Sequence, residues 1–68
     1  MRDVSIRDDT IRLGQALKLS GLASSGGEAR AMIEQGGVTV NGEPETRRGR
    51  QLHRGDVVAA GDEAVRIA

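Results

Sequence analysis

The chain has 68 residues, with ten Lys or Arg against ten Asp or Glu and no Cys, Phe, Tyr or Trp. Without cysteine, neither a disulfide framework nor a thiolate metal site can form, and a single His leaves little for zinc. No run approaches the roughly 18 apolar residues of a membrane span, and the N-terminus lacks the apolar segment of a signal peptide. We therefore expect a cytoplasmic protein that makes no membrane contact, with an aliphatic core.

The first third of the chain predicts a short strand followed by a helix. Val4 and Ile6 alternate with polar residues, as in a strand, and residues 8–10 offer candidate helix N-caps. Gly21 is expected to end the helix in a left-handed conformation. The buried face of this helix is predicted to carry Leu13, Ala16, Leu17 and Ser20, with Ile11 close by.

A second helix is predicted to begin after Ser25. Ser25 and Glu28 have the spacing of a capping box, in which each side chain satisfies a backbone N–H of the other residue. Gly36 is expected to end this helix. Its buried stripe is predicted to contain Ala29, Met32 and Ile33, with Arg30, Ala31 and Glu34 outside it.

The remaining segments predict a small sheet. Asn41-Gly42 follows the alternating residues 38–40 and is a strong signal for a tight hairpin, while Pro44 restricts the return arm to an edge strand or a loop. Residues 46–53 are expected to form a basic connection, and residues 57–60 and 64–67 two further strands. The prediction is one α+β domain over residues 1–68, with two packed helices followed by a small, mainly antiparallel sheet.

Positive charge is concentrated in one segment although the net charge is zero. Residues 46–55 contain four arginines, one His and no acid, and nine of the ten cations in the chain are Arg. Arg can hold a phosphate through two parallel hydrogen bonds. Because the predicted hairpin folds the chain back beside the second helix, we expect Arg30, Arg47, Arg48 and Arg50 to converge on one face. Loop arginines of this kind are expected to contribute little to folding.

The order of these residues resembles the alpha-L RNA-binding motif, the domain named after ribosomal small-subunit protein four. The similarity covers roughly residues 11–58, and the small free-standing bacterial members are similar in carrying Ser-Gly-Gly at the second helix and an Arg-Arg-Gly-Arg-like run. Many members have an arginine where this chain has Gly26. The matching positions are Ile11-Arg12-Leu13, Leu17-Lys18, Gly21, Ser25, Glu28-Ala29-Arg30, Ile33, Gly36, residues 38–42 and Gly55-Asp56-Val57-Val58.

The resemblance implies a binding face for structured RNA, made by both helices and the adjoining loop, with Arg30 turned toward the RNA. It implies no catalytic role, cofactor or metal, and 68 residues leave no room for a catalytic domain. We expect a monomer whose partner is structured or double-stranded RNA, such as ribosomal RNA, tRNA or a ribosome assembly intermediate. The candidate RNA-binding residues are Lys18, Ser25, Gly26, Gly27, Arg30, Arg47, Arg48, Arg50, His53 and Arg54.

Two other interpretations fit parts of the sequence. Two helices joined near Gly21 match the outline of a helix-turn-helix DNA binder, although the second helix would open with residues 26–29, which offer bases no basic or amide side chain. A protein-interaction module could instead dock through the edge near Pro44, in keeping with the neutral net charge. The missing aromatic residues argue against binding single strands by base stacking and favour contacts to the phosphates and 2′-hydroxyls of folded RNA.

Overall fold

The computed structural model describes all 68 residues and has two helices and seven short strands. The α+β prediction is confirmed. The helices are α1 (Leu13–Ser20) and α2 (Gly26–Glu34). In chain order, the strands are β1 (Arg2–Val4), β2 (Thr10–Arg12), β3 (Val38–Val40), β4 (Glu43–Pro44), β5 (Gln51–His53), β6 (Val57–Ala60) and β7 (Glu63–Ile67).

The strands form two sheets. The larger has the order β1-β7-β6-β3-β4, in which only β1 and β7 run parallel, and the smaller consists of β2 and β5. The hydrophobic core lies between the helices and the inward faces of the strands, and its buried apolar residues are Val4, Leu13, Ala16, Leu17, Ala23, Ala29, Ile33, Val38, Val40, Leu52, Val58, Val65 and Ile67. Met32, predicted in the buried stripe of α2, is only half-buried and packs against this core.

The start of the first helix differs from the prediction. Residues 8–10 do not cap α1, because Thr10 begins β2 and pairs with His53. The helix instead follows Arg12, whose side chain makes no capping hydrogen bond. The segment predicted as a basic connection also differs, because it contains β5. In this strand Leu52 pairs with Ile11 and is buried in the core. The N-terminal strand lies at Arg2–Val4, slightly before the predicted position.

Both helix ends follow the predicted stop signals. Gly21 and Gly36 have φ values of 80° and 78°, the left-handed conformation that favours glycine. After α2, the N–H groups of Gly36 and Gly37 donate to the carbonyls of Ile33 and Met32 at 3.1 and 3.0 Å. This is the Schellman arrangement, which satisfies carbonyls that the helix leaves without a partner.

The capping box of α2 is modified. The Oγ of Ser25 accepts from the N–H of Glu28 at 3.1 Å, as predicted. The carboxylate of Glu28, however, accepts from the N–H and Oγ of Ser24 instead of returning to Ser25. The N-terminus of α2 is therefore fixed by two consecutive serines.

At the β3–β4 connection, Val40 lies opposite Glu43, and Asn41 and Gly42 both have positive φ, of 53° and 86°. Those signs are what a type I′ turn requires at its two central residues. The side chain of Asn41 also bonds forward to β6, because its Oδ1 accepts from the N–H of Val57 at 2.9 Å. Pro44 lies in the edge strand β4, opposite Thr39.

Candidate nucleic-acid interface

The segment 46–50, which we call the basic loop, sits directly on the start of α1. The N–H groups of Leu13 and Gly14 donate to the carbonyls of Arg50 and Arg48 at 2.8 and 3.0 Å. The first amides of a helix have no acceptor within the helix, and here the loop main chain takes the place of a side-chain cap. Because no side chain caps α1, its first two amides bond to the carbonyls of the basic loop, and these bonds hold the loop against the helix.

Glu45 fixes the same loop from the other side. Its side chain is only 7% exposed and accepts a hydrogen bond from the Nη1 of Arg50 at 2.9 Å. It also accepts from the Nε, the Nη2 and the backbone N–H of Arg47 and from the N–H of Thr46, at distances between 3.0 and 3.2 Å. These hydrogen bonds, first from Arg47 and then from Arg50, lower the pKa of Glu45 from 4.5 to about 2.

A cleft of about 290 Å³ lies where α1, α2 and the basic loop meet. Four of its lining side chains are cationic and none is acidic. Because nearby like charges reinforce one another, this cleft is a strongly positive part of a chain whose net charge is zero. The residues that line it are Arg12, Gly14, Gln15, Lys18, Gly26, Ala29, Arg30, Arg48 and Gly49.

The four cations of the cleft differ in how far they are already neutralised. Arg12, Lys18 and Arg48 form no salt bridge, whereas the Nε of Arg30 lies 2.9 Å from Oε2 of Glu34. Both side chains of that i,i+4 pair are 58% exposed, and such surface pairs contribute little. All four cations can therefore turn toward an anion in the cleft.

The structure brings together four of the ten predicted site residues, namely Lys18, Gly26, Arg30 and Arg48. Ser25 and Gly27 lie beside the cleft at the start of α2 but do not line it. Of the three arginines expected to converge with Arg30, only Arg48 lines the cleft, and Arg47 is 76% exposed beside it in the chain. Arg48 faces the cleft, while Arg47 and Arg50 bind Glu45, and Arg50 is only 32% exposed.

His53 and Arg54 lie outside the cleft. The Nη2 of Arg54 donates to the carbonyl of Ile6 at 3.0 Å, and its Nη1 lies 3.6 Å from Oδ1 of Asp9. The backbone N–H of His53 donates to Oδ2 of Asp56 at 2.8 Å, which is the main cause of the lowered pKa of Asp56. His53 thus stabilises a turn through its backbone, and Arg54 makes contacts with the N-terminal segment instead of lining the cleft.

Arg12 and Gln15 are cleft residues that the sequence reasoning missed. Gln15 and Lys18 are three residues apart on α1, and Arg12 is the extended residue directly before the helix. That spacing was available in the sequence. In the sequence analysis, Arg12 enters only as a position that matches the family motif, and residues 8–10 are the candidate caps of the first helix.

Glu45 was missed as well, although it lies two and five residues before its arginine partners.

No cluster of three or more His, Cys, Asp or Glu side chains suited to a metal ion occurs in the structure. Neither helix has the length and apolar character needed to cross a bilayer.

The chain is similar to several known proteins. A family model described as the S4 domain matches residues 4–68. The chain is 49% identical over 55 residues to a Bacillus subtilis protein named a probable ribosome maturation protein, RlbA, and the match covers 81% of this chain and 78% of that protein. It is also 55% identical over 38 residues to the tyrosine–tRNA ligase of Nitrosomonas europaea, covering 56% of this chain but only 9% of the ligase.

Among solved structures, the 30S ribosomal protein S4e from Thermoplasma acidophilum has a similar fold, with a TM-score of 0.67 at 23% identity. The similarity covers 88% of this chain and 32% of that protein. At this identity the similarity concerns the fold. The match of the family model over nearly the whole chain, together with the close similarity to the Bacillus subtilis protein, shows that the chain belongs to the S4 domain family of RNA-binding modules.

Proposed function

We propose that the cleft between α1, α2 and the basic loop binds the phosphate backbone of structured RNA, and that the protein acts by binding, without catalysis. The observation that carries the proposal is the convergence of Arg12, Lys18, Arg30 and Arg48 on a cleft without a carboxylate. Phosphate contacts supply most of the affinity of a nucleic-acid-binding surface, and Arg and Lys are the side chains that make them.

The type of RNA follows from the residues that the chain lacks. With no Phe, Tyr or Trp, the protein has no aromatic platform on which unpaired bases could stack. Recognition of a duplex or a folded RNA relies instead on phosphate and 2′-hydroxyl contacts arranged in space. We therefore propose a double-stranded or compactly folded target.

The name of one relative supports a ribosomal target for this chain. One is named a probable ribosome maturation protein, and the chain spans about four-fifths of it. We propose that this chain likewise binds ribosomal RNA or an assembly intermediate of the ribosome. The tRNA ligase is a weaker guide, since the similarity covers less than a tenth of it.

The alternative interpretations have less support. The edge strand β4 has only two residues, and one of them is Pro44, which has no N–H to offer an incoming strand. As a DNA-reading helix, α2 would present Gly26, Gly27 and Glu28 first, and these residues include no basic or amide side chain to read a purine.

The test is a competition between a short RNA hairpin and the DNA hairpin of the same sequence, measured by fluorescence anisotropy at physiological salt. We expect the RNA to bind at least about tenfold more tightly, equivalent to roughly 1.4 kcal/mol. Equal affinity for both would mean that the cleft only senses charge, which contradicts the proposal. Tighter binding of DNA would favour the helix-turn-helix interpretation.

A further inference from the structure

The ten glycines of the chain fall into two groups. Five have positive φ and are explained by the backbone conformation that they adopt: Gly21, Gly36, Gly42, Gly55 and Gly61. The other five have a backbone conformation open to any residue: Gly14, Gly26, Gly27, Gly37 and Gly49. Three of this second group line the cationic cleft, namely Gly14, Gly26 and Gly49.

Packing does not explain these three glycines either. A Cβ built on Gly26 or on Gly49 would meet no atom within 4 Å. A Cβ on Gly14 would lie 3.6 Å from the carbonyl oxygen and 3.7 Å from the Cβ of Arg48, which is ordinary van der Waals contact. The folded protein therefore has room for a side chain at all three positions.

Glycine at such positions has a cost that nothing in the fold offsets. Replacing glycine by alanine where the backbone conformation is compatible generally stabilises a protein, because alanine reduces the freedom of the unfolded chain. Gly14 is the second residue of α1 and Gly26 the first of α2. The same reasoning applies to Gly27 and Gly37, but three of these five glycines line one cleft, which indicates that the space above those three is used.

The groups around the bare main chain indicate what occupies that space. Apart from Gln15 and Ala29, the lining side chains are cations, which only donate hydrogen bonds. The Oγ of Ser25 is bonded to the N–H of Glu28, so the exposed N–H of Gly26 at the first position of α2 has no acceptor within the helix. Phosphate oxygens are pure acceptors and match this set of donors, whereas a base edge would also need acceptors from the protein.

From this combination, we propose that a sugar–phosphate strand of the RNA lies directly against the main chain at Gly14, Gly26 and Gly49, with the four cations around it. Because these three positions carry no side chain, the strand can approach the main chain of the cleft closely. The inference rests on the proposed function and makes it more specific: the ligand is a continuous phosphodiester backbone, recognised without reference to base sequence.

The test adds side chains to the floor of the cleft. Gly14→Ala, Gly26→Ala, Gly49→Ala and the larger Gly26→Leu are compared with wild type for Tm and for the Kd of an end-labelled RNA hairpin. Gly37→Ala is the matched control, because it adds the same methyl group outside the cleft, where its Cβ would lie 3.4 Å from the Met32 carbonyl. Each protein is also tested on a second hairpin of equal length and different sequence.

We expect every cleft variant to keep or raise its Tm, as Gly→Ala does at a compatible site. The Kd should rise, by about tenfold for Gly26→Leu and less for the alanine variants, whereas Gly37→Ala should bind like wild type. Both hairpins should behave alike.

Three results would overturn the inference. A fall in Tm would show that the fold itself requires the glycine, and a change in relative affinity between the two hairpins would show that bases are read. Unchanged binding by all cleft variants would also overturn it. In that last case the proposed function survives, provided that wild type prefers RNA and that removing the cleft cations weakens binding. If wild type shows no preference for RNA, the proposed function fails, and this inference fails with it.

Discussion

The side chain of Glu45 contributes both to the stability of the protein and to the shape of its cleft. Its buried carboxylate holds two arginines of the basic loop, and the carbonyls of that loop in turn bond to the first amides of α1. A buried charge is tolerated only when it is paired and hydrogen-bonded, and here it accepts five hydrogen bonds. The arginines at 47 and 50 are thus part of the scaffold, while Arg48 between them faces the cleft.

The arginines of the basic loop should therefore have two different roles. We expect Arg47→Gln combined with Arg50→Gln to lower the Tm by several degrees, because the carboxylate of Glu45 loses its partners while it stays buried. Arg48→Gln should leave the Tm unchanged and weaken RNA binding, since its side chain has no partner in the protein. Thermal unfolding followed by circular dichroism checks the first part. An unchanged Tm for the double variant would show that the loop keeps its shape without these pairs.

Acid should destabilise the protein through the same carboxylate. The pKa of Glu45 is about 2 in the folded protein, against an ordinary value of 4.5. Over the pH range between these values the unfolded chain binds the proton more readily than the folded one. The contribution of Glu45 to the free energy of unfolding is thus complete above pH 4.5 and is lost as the pH falls toward about 2. Asp56, whose pKa is also lowered, acts in the same direction.

We expect Glu45→Gln to unfold at a lower Tm at neutral pH and to show a flatter dependence of Tm on pH below pH 4.5. A series of melting curves from neutral pH into acid measures both quantities. If wild type and variant lose Tm in parallel as the pH falls, the ion pairs of Glu45 are not the source of the acid sensitivity.

Among the elements, α2 has an N-terminus that is capped by the side chain of Ser25 and braced by the bonds between Ser24 and Glu28. Ser25→Ala removes the acceptor for the N–H of Glu28 and should cost about 1 kcal/mol of the free energy of unfolding. Ser25→Gly should cost less, because glycine leaves the amide open to water. Denaturant unfolding of the two variants measures this order. Wild-type stability in Ser25→Ala would mean that the bonds of Glu28 to Ser24 suffice to start the helix.

The β3–β4 connection offers a test of conformational strain without a steric clash. No atom lies within 4 Å of a Cβ built on Gly42, whose φ is +86°. Gly42→Val should therefore be destabilising by about 1–2 kcal/mol or more, through the left-handed conformation alone, and Gly42→Ala should be destabilising by less. The same unfolding assay compares them. Equal stability of Gly42→Val and wild type would show that this turn can relax freely.

The elements that the sequence predicted are those with local signals. The stops at Gly21 and Gly36, the cap at Ser25 and the strands around Asn41 all depend on residues within a few positions of one another. The pairing of β2 with β5 was not predictable in this way, because it joins Ile11 to Leu52 across both helices. The true start of α1 was missed for the same reason, since its amides are satisfied by carbonyls at positions 48 and 50.

The candidate site follows the same division. Lys18, Gly26, Arg30 and Arg48 were expected from charge and from the family resemblance, and they line one cleft. Arg48 lines the cleft while Arg47 and Arg50 bind the buried carboxylate of Glu45, and no local pattern reveals that burial. The spacing of Gln15 and Lys18 can be recognised in the sequence, whereas Arg12 reaches the cleft from the end of β2, directly before the helix.

At the scale of the whole molecule, charge is distributed unevenly. The chain is neutral overall, yet no carboxylate lines the cleft, and only Arg30 of its four cations is paired, with Glu34. Other cations are paired elsewhere, as Arg66 is with Asp3 at 3.0 Å. At physiological salt the screening length is about 8 Å, so an RNA strand in the cleft responds mainly to the charges that surround it there. Net charge is therefore a poor guide to the affinity of this protein for RNA.

The salt dependence of RNA binding should differ between two variants that lose the same charge at different places on the molecule. Lys18→Gln with Arg48→Gln removes two unpaired cations from the cleft, and Arg7→Gln with Arg66→Gln removes two cations elsewhere. Each phosphate contact contributes a slope of about 0.7 to 0.9 in the logarithm of affinity against the logarithm of salt. We predict weaker binding and a slope flatter by about 1.5 for the cleft variant, with both quantities close to wild type for the control. Equal affinity and slope in the cleft variant and wild type would contradict the assignment of this cleft as the RNA-binding site.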